Sequence, residues 1–407
     1  MQKSGNSCSL LHSRFLCRHA TPPPPQGALG DDFKSGCVAD YHSRPFTSNT
    51  PKQPHTWLKL LFFPFFINKV CDSGFHFFEK VQDLPTRGAS GVEHFFINGT
   101  LFLAFANYYG DIHKQNTSSI IYRMDESTGR FNLHQTLETT GARDIEYFTI
   151  SGKHFLAVTS YYDGSNFGLE SSIFQWNGEM FVVFQKIPTK GAVRFTFFEI
   201  SGNNYLAVAN RYDGSTFSTK SVIYRWNGSH FNKFQEIATA GALGCVVFVI
   251  NNNIFIAFAS YYAEFSKYSV QSTVFKWSEG HFVKLQSLRT YGAYDMKSFQ
   301  ISGKTFLAFA NYYNGSKNNI DSFIYKWNGN KFILFQSIAT RGARALHPFV
   351  ISCKTFLGVL ITLVTVRSTL PSPLCTRPLA HNSLSIKRFP LTEHLIWRHL
   401  STKVIHI

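Results

Sequence analysis

Two acidic residues of this 407-residue chain occupy the same place in a repeated phrase. Asp144 and Asp295 each lie three residues after the glycine of a Gly-Ala dipeptide. Carboxylates that converge are ligands suited to a hard cation such as Ca²⁺. The other interpretation is a solvated charge beside a turn, because three further copies of the phrase carry Arg194, Gly244 and Ala345 at this position.

The sequence lacks the signatures of common catalytic sites. Its 16 histidines show no HExxH spacing, and neither a GxSxG elbow nor a phosphate-binding loop occurs. Loops that begin at Tyr162-Asp163, Tyr212-Asp213 and Tyr313-Asn314 lack the alternating acids of a Ca²⁺ loop, so turn chemistry explains them. Catalysis needs unlike residues at one place, whereas a repeat supplies like residues at many places. We therefore predict a protein that is not an enzyme, with no catalytic residue and no organic cofactor.

The Gly-Ala dipeptide marks an internal repeat of about 50 residues, a period typical of stacked arrays. It occurs at Gly88, Gly141, Gly191, Gly241, Gly292 and Gly342. Within a unit the hydrophobic residues alternate with period two, which predicts strands. In the fifth unit the predicted strands are Phe282–Leu288, Lys297–Ile301, Phe306–Tyr313 and Ser322–Trp327. Four short strands without a helix predict an all-β fold, a β-propeller with one unit per blade.

The repeated phrase FxxxQxIxTxGA…FxIxGxxFLAVANYY…SxIYxWNG resembles the epilepsy-associated repeat, also called EAR or EPTP. That repeat is found in the leucine-rich glioma-inactivated proteins, in the thrombospondin-type laminin G domain and EAR repeat-containing protein, and in a very large adhesion receptor. The resemblance implies a seven-bladed propeller outside the cell that binds other proteins. It also implies that the strand after Gly-Ala lines a central channel, where some members hold a cation. On this basis Ca²⁺ is expected between Asp144 and Asp295.

The repeat does not extend over the whole chain. Five full units are visible, and a sixth begins at Phe332 and loses the pattern after Leu357. The full units are Phe78–Arg123, Phe131–Trp176, Phe181–Trp226, Phe231–Trp277 and Phe282–Trp327. We therefore expect an incomplete propeller over residues 71–357. The irregular flanks at 1–70 and 358–407 are expected to be either non-native sequence or disordered tails.

Charge and processing signals bear on location and partners. The net charge of +16 is +5 in residues 1–70, +5 in residues 358–407 and only +6 in the repeats, which argues against a nucleic-acid partner. Acceptor patterns for N-glycosylation occur at Asn98, Asn116, Asn227 and Asn314 and favour an extracellular or cell-surface protein. No clear signal peptide is visible, and the apolar runs are too short to predict a transmembrane span.

Aromatic residues supply the candidate contact surface. Tyrosine pairs end one strand of most units, and successive residues point to opposite faces, so one of each pair should be exposed at a rim. The predicted interface residues are Tyr109, Tyr162, Tyr262 and Tyr313. The tryptophans at a fixed position (Trp176, Trp226, Trp277 and Trp327) indicate blade packing more than a ladder for stacking a ligand.

The function predicted from these features is binding of an extracellular or cell-surface protein, in adhesion or receptor binding. Three alternatives stay open at this point. A glycan-binding propeller would gather acids and aromatic residues at one rim. An intracellular scaffold would have unoccupied glycosylation sites. A non-functional fragment would not complete its ring.

Overall fold

The computed structural model describes residues 9–10, 13–14, 80–108, 117–351, 354–362 and 400–406. Within these ranges the regular structure consists of β-strands. A short hairpin, β1 (Ser9–Leu10) and β2 (Ser13–Arg14), precedes five four-stranded antiparallel sheets and one three-stranded sheet. The prediction of an all-β propeller of four-stranded blades is thereby confirmed.

The sheets are numbered here as blades in chain order, and the strands of each pair with their neighbours in sequence. Blade 1 contains β3 (Ala89–Ile97), β4 (Thr100–Asn107), β5 (Ser119–Asp125) and β6 (Arg130–Leu137). Blade 2 contains β7 (Ile145–Ile150), β8 (Lys153–Val158), β9 (Gly168–Trp176) and β10 (Phe181–Lys190). Blade 3 contains β11 (Ala192–Ile200), β12 (Asn203–Asn210), β13 (Lys220–Trp226) and β14 (Phe231–Ala238).

The last three blades repeat this order. Blade 4 contains β15 (Ala242–Ile250), β16 (Asn253–Ser260), β17 (Ser272–Ser278) and β18 (His281–Leu288). Blade 5 contains β19 (Ala293–Ile301), β20 (Lys304–Asn311), β21 (Asn319–Trp327) and β22 (Phe332–Arg341). Blade 6 contains β23 (Ala343–Ile351), β24 (Lys354–Thr362) and β25 (Leu400–His406).

The end of the repeat region differs from the sequence-based boundaries. The expected limit at Leu357 falls inside β24, because the apolar run continues to Thr362. Residues 400–406, expected to be irregular, form β25, which pairs antiparallel with β24 in the register Phe356↔His406. The pairing gives the backbone donors and acceptors of β24 a second partner strand.

The sequence unit and the structural blade are offset by one strand. The predicted strand Phe282–Leu288 corresponds to β18, which pairs with β17 and closes blade 4. The other three predicted strands of that unit become β19, β20 and β21 of blade 5. There is still one four-stranded blade for each sequence unit, but the blade begins one strand later than the unit does. Each unit crosses from the outer strand of one blade to the three inner strands of the next and so ties adjacent blades covalently.

The hydrophobic core lies between neighbouring blades. Five clusters of buried residues occupy the successive interfaces from blades 1 and 2 to blades 5 and 6. In one of them Phe148 of β7 stacks on Phe197 of β11, with ring centroids 4.5 Å apart. Stacked aromatic pairs add to the free energy gained by burying apolar area. The tryptophans belong to these interfaces, as Trp176 packs edge-on against Phe102 and Phe181.

The repeated glutamine also joins blades. The side chain of Gln135 on β6 accepts a hydrogen bond from the Phe181 N–H, 2.9 Å away, and donates one to the Phe181 carbonyl, 2.7 Å away. Gln185 makes the same pair of bonds with Phe231, and Gln235 with Phe282. Each amide thus satisfies a backbone donor and acceptor at the start of the next outer strand, which explains its fixed place in the repeat.

Two opposite faces follow from the strand directions. The face that we call the turn face carries tight turns such as Asn98-Gly99, where both residues have positive φ (49° and 83°) as a two-residue hairpin turn requires. The face that we call the loop face carries the loops between second and third strands, such as residues 159–167. It also carries the blade-to-blade connections at the Gly-Ala dipeptides. No helix among the described residues has the length and apolar character needed to cross a membrane.

Candidate functional site

Asp144 and Asp295, the predicted metal ligands, lie at the innermost strands of blades 2 and 5. The carboxylate of each accepts a hydrogen bond from the backbone of the next blade. Asp144 Oδ2 accepts a hydrogen bond of 3.0 Å from the Phe195 N–H. Asp295 Oδ2 accepts one of 3.0 Å from the Leu346 N–H. In both cases the donor belongs to the inner strand of the following blade. The two carboxylates therefore share a structural role, which is to fasten one blade to the next.

Asp295 is also the centre of a buried ion-pair cluster. Its Oδ1 lies 2.9 Å from Arg194 Nη1 and 3.0 Å from Lys297 Nζ. Asp295 and Lys297 are each 3% exposed. Burial disfavours ionisation of Asp295, but the charges of Lys297 and Arg194 outweigh it, so the pKa of this carboxyl is lowered. Burial lowers the pKa of Lys297, an effect that the attraction of Asp295 only partly offsets.

The surroundings of Asp144 and Asp295 do not fit Ca²⁺. Arg194 extends past Gly244, which has no side chain to obstruct it, and reaches Asp295 two blades away. With Lys297 it already places two positive charges where a cation would bind, and Ca²⁺ needs six to eight oxygen ligands. Ca²⁺ binding at Asp144 and Asp295 thus stays a prediction that the charges of these surroundings do not favour. In the part of the chain that the structure describes, no group of three or more His, Cys, Asp or Glu could hold a metal ion.

Asp144 differs from Asp295 in its ionisation. Burial raises the pKa of Asp144 to about 6, although Arg194 and the hydrogen bond from Phe195 act in the opposite direction. Among the described residues, Asp144 makes no direct ion pair of the kind that Asp295 makes with Lys297. Asp295 is therefore held in its ionised form, whereas Asp144 titrates in weakly acidic solution.

On the loop face, the predicted interface tyrosines lie in a continuous row of aromatic rings. We call this row the aromatic belt. Each ring contacts the next at a centroid distance of 4.4–5.0 Å. Its members are Tyr162, Phe167, Tyr212, Phe217, Tyr262, Tyr268 and Tyr313. Three predicted residues, Tyr162, Tyr262 and Tyr313, are therefore partly buried against neighbouring loops, while Tyr109 lies outside the described residues.

The loops of this face are fixed to the blade connections. The carbonyl of Phe167 accepts a hydrogen bond of 2.6 Å from the Gly191 N–H, and the carbonyl of Phe217 accepts one of 2.7 Å from the Gly241 N–H. Tyr268 and Gly292 repeat this contact. The backbone under the aromatic belt is consequently held in place in three successive blades.

One large apolar side chain projects from this fixed surface. Phe265 is 100% exposed at the tip of the loop between β16 and β17. The loop is closed below it by two backbone hydrogen bonds between Ala263 and Lys267, of 3.0 and 2.8 Å. The neighbouring Glu264 accepts hydrogen bonds from the Thr216 and Ser218 hydroxyls of the blade 3 loop, at 2.7 and 2.8 Å. An exposed phenylalanine on a braced loop is suited to insertion into a partner's pocket.

Phe265 was missed in the sequence. The signal that could have found it is a departure from the repeat, because blade 4 has Ala263-Glu-Phe-Ser266 where blades 2, 3 and 5 have Asp-Gly-Ser or Asn-Gly-Ser. Glu264, in the place of a glycine, supplies the bracing contacts, and its hydrogen bonds, first that from Thr216, lower its pKa to about 2.

The glycosylation candidates lie at turns. Asn98 and Asn227 are exposed, and Asn314 is partly exposed in the blade 5 loop. Asn227 Oδ1 accepts hydrogen bonds from the Ser229 N–H and hydroxyl, at 2.9 and 3.1 Å. Asn314 makes the same contacts with Ser316, both at 3.0 Å. The acceptor in these contacts is the side-chain oxygen. The amide nitrogen, which is the atom that carries a glycan, takes no part in them. Asn116 lies outside the described residues.

A cavity of about 560 Å³ lies on the turn face of blade 3. Trp226 and Phe234 supply its aromatic lining, and Arg225 and Lys233 are its charged residues. The carboxylates that glycoside chemistry uses are not among its lining residues. Asn227 also lines it, so a glycan on that residue would cover the opening.

Comparison with known proteins gives the following matches. A model of the EPTP domain matches residues 78–125, 130–177, 180–227, 230–278 and 281–328. The thrombospondin-type laminin G domain and EAR repeat-containing protein of Homo sapiens is 38% identical over 100 residues, which are 25% of this chain and 15% of the relative. The Mus musculus protein of the same name is 35% identical over 100 residues, with the same coverage. The matched region thus spans about one seventh of the length of these curated relatives.

Among solved structures, the Trypanosoma rangeli sialidase in complex with the inhibitor DANA has a TM-score of 0.43 and 10% sequence identity. The match covers 68% of this chain and 53% of the sialidase.

Proposed function

Because this chain belongs to the EPTP, or EAR repeat, family, we propose that it is an extracellular interaction module that binds another protein through its loop face. The resemblance seen in the repeated phrase is confirmed by the five matched stretches. Repeats of this family are generally non-catalytic, and their propeller domain is typically a protein-interaction module. The identity of the partner and a role in adhesion or receptor binding are part of the proposal.

The observation that carries this proposal is the complete exposure of Phe265 on a loop that two blades hold rigid. Burying a phenylalanine on binding contributes about 1.5–3 kcal/mol, and a rigid loop loses little conformational entropy when it binds. The aromatic belt beside it offers partly exposed tyrosines, a residue type enriched at protein interfaces. A protein partner with an apolar pocket fits this surface.

The first test concerns the contact surface. Phe265→Ser is expected to weaken binding of the full chain to partner-bearing cells at least about tenfold, because binding hot spots contribute about 2 kcal/mol or more. Flow cytometry of the labelled protein, expressed behind a secretion leader, measures the affinity. The matched control is Val183→Ser, which changes a 57% exposed apolar residue of the outer strand β10. Equal affinity for the Phe265→Ser protein and the parent would refute the contact assigned to Phe265.

The second test concerns location. Mass spectrometry of the native protein is expected to find N-linked glycans at Asn98, Asn227 and Asn314, since all three lie at turns with some exposure. Release of the glycans by peptide N-glycosidase in heavy-oxygen water converts each occupied asparagine to a labelled aspartate. Unmodified peptides at all three positions would contradict the extracellular proposal and favour an intracellular scaffold.

A further inference from the structure

Arginines at the inner part of the loop face lie between tyrosine rings. The guanidinium carbon of Arg143 is 4.2 Å from the ring centroid of Tyr108 and 4.8 Å from that of Tyr161. Arg143 follows the Gly-Ala dipeptide of blade 2 directly. It is therefore held at the junction of blades 1 and 2, directly before Asp144.

Two further arginines continue the pattern across the face. Arg211 lies 5.7 Å from the Tyr161 ring and 5.0 Å from the Tyr261 ring, and its Nη1 donates a hydrogen bond of 2.8 Å to the Tyr161 hydroxyl. Arg344 lies 5.4 Å from Tyr294 and 5.0 Å from Tyr312. Tyr261 and Tyr294 contact each other edge-on at 6.0 Å and link the two groups. We call this continuous set the Arg–Tyr arc, and its members are Tyr108, Arg143, Tyr161, Arg211, Tyr261, Tyr294, Tyr312 and Arg344.

Two arginines of the arc, Arg143 and Arg211, are not neutralised by the neighbouring acids that the structure describes. Within the described residues, Arg143 and Arg211 form no ion pair, and the Nε atom of each is buried without a hydrogen-bond acceptor. Asp163 and Asp213 accept hydrogen bonds from their own loops, and Glu264 accepts those of the blade 3 loop. Buried donors without an acceptor are rare in proteins, and a bound ligand group, an ion or a water molecule is what usually satisfies them.

We propose that the Arg–Tyr arc binds the carboxylates of an acidic peptide segment of the protein partner. The proposal rests on the proposed function, since it supplies the chemistry of the bound segment. A guanidinium matches a carboxylate in a planar, bidentate pair, and stacking on tyrosine fixes its orientation in advance. The tyrosines between the arginines offer apolar surface, so acidic side chains separated by apolar ones fit the spacing. A sulfated or phosphorylated polymer would instead favour an uninterrupted row of cations.

The test measures binding of a fluorescein-labelled peptide of alternating glutamate and leucine to the full chain by fluorescence anisotropy. The same peptide with glutamine in place of glutamate is the comparison, and it needs no change in the protein. We expect the glutamate peptide to bind at least about tenfold more tightly, the effect of one charge-assisted hydrogen bond. The difference should shrink as salt is raised. Equal binding of the two peptides would overturn the proposal.

Variants then locate the site. Arg143→Gln and Arg211→Gln are expected to reduce glutamate-peptide binding about tenfold each, whereas Lys153→Gln, an exposed lysine on the turn face, should leave it unchanged. Arg211→Lys keeps the charge and should still lose affinity, because an ammonium neither stacks nor forms the planar pair. Unchanged peptide binding in the two Arg→Gln variants would overturn the assignment to the arc. The proposal would also be overturned if a sulfated oligosaccharide bound through these arginines and the glutamate peptide did not bind.

Failure of this inference is distinguishable from failure of the proposed function. Suppose that Phe265→Ser abolishes cell binding while the arginine variants keep both cell and peptide binding. In that case the proposal that the arc binds an acidic segment is wrong, and the proposal of an interaction module is retained. If neither Phe265→Ser nor the arginine variants alter cell binding, the loop face is not the contact surface.

Discussion

Replacing Asp295 with alanine is expected to lower the free energy of unfolding by about 3–5 kcal/mol, the cost of breaking a buried ion pair by removing one partner. The substitution leaves Lys297 buried with a charge that nothing neutralises and takes the carboxylate from Arg194. It also removes the acceptor for the Leu346 N–H, which ties blade 6 to blade 5. Urea denaturation followed by tryptophan fluorescence measures the change.

Two variants separate the contributions to this effect. Asp321→Ala removes an exposed carboxylate from β21 of the same blade and should change the free energy of unfolding by less than about 0.5 kcal/mol. Asp295→Asn keeps an acceptor for Leu346 and removes only the charge, so its effect isolates the ion pairs. A destabilisation by Asp295→Ala as small as that of Asp321→Ala would show that the buried ion-pair cluster around Asp295 does not hold the blades together.

Gly141→Ala is expected to destabilise the fold by about 3 kcal/mol or more. Gly141 has a φ of 53°, a left-handed conformation that costs an alanine about 1–2 kcal/mol. An added Cβ would also lie 2.3 Å from the Tyr162 carbonyl oxygen, so the backbone of the blade 2 loop must move. The loss of stability should appear as a lower urea midpoint.

The matched control for Gly141 is Gly152→Ala in the turn between β7 and β8. Gly152 also has a positive φ, of 76°, but an added Cβ would meet no atom within 4 Å. Its substitution should lower the free energy of unfolding only by the cost of the left-handed backbone conformation, about 1–2 kcal/mol. Equal destabilisation by the two substitutions would mean that close packing against Tyr162 is not the reason for glycine in the repeat.

The residues that recur in each unit predicted the fold because they build it. Alternation of apolar residues predicted β18 to β21, and the repeated Gln135 and Gly141 have structural contacts that other copies share. The blade to which each strand belongs could not be predicted from the sequence in the same way. A strand such as β18 can close its own sheet or open the next one with the same sequence, and only the pairing with β17 decides.

The candidate site was predicted in part, for a related reason. Tyr162, Tyr262 and Tyr313 are on the loop face, but their rings pack against neighbouring loops that are distant in sequence by a whole unit. Asp295 resembled a cation ligand because Arg194, its partner, lies two blades away. Such contacts between units are invisible to reasoning that treats one unit at a time.

The residues that depart from the repeat carry the proposed function. Phe265 lies in the blade 4 loop, which lacks the Asp-Gly-Ser or Asn-Gly-Ser turn of blades 2, 3 and 5. Arg211 occupies a position at which blades 1, 2, 4 and 5 have a tyrosine. A surface that recognises one partner needs features that differ from blade to blade, because identical blades would present identical contacts. The geometry that the blades have in common holds Phe265 and Arg211 in defined positions.

The central claim is that the loop face contacts a protein partner, and site-specific photo-crosslinking tests it most directly. A photoreactive phenylalanine analogue is introduced at position 265 of the full chain, and in a second protein at Lys153 on the turn face. On the surface of partner-bearing cells, the protein labelled at position 265 is expected to form a covalent adduct with a cell-surface protein, and the protein labelled at position 153 is not. Adducts from position 153 in equal or greater yield would contradict the account.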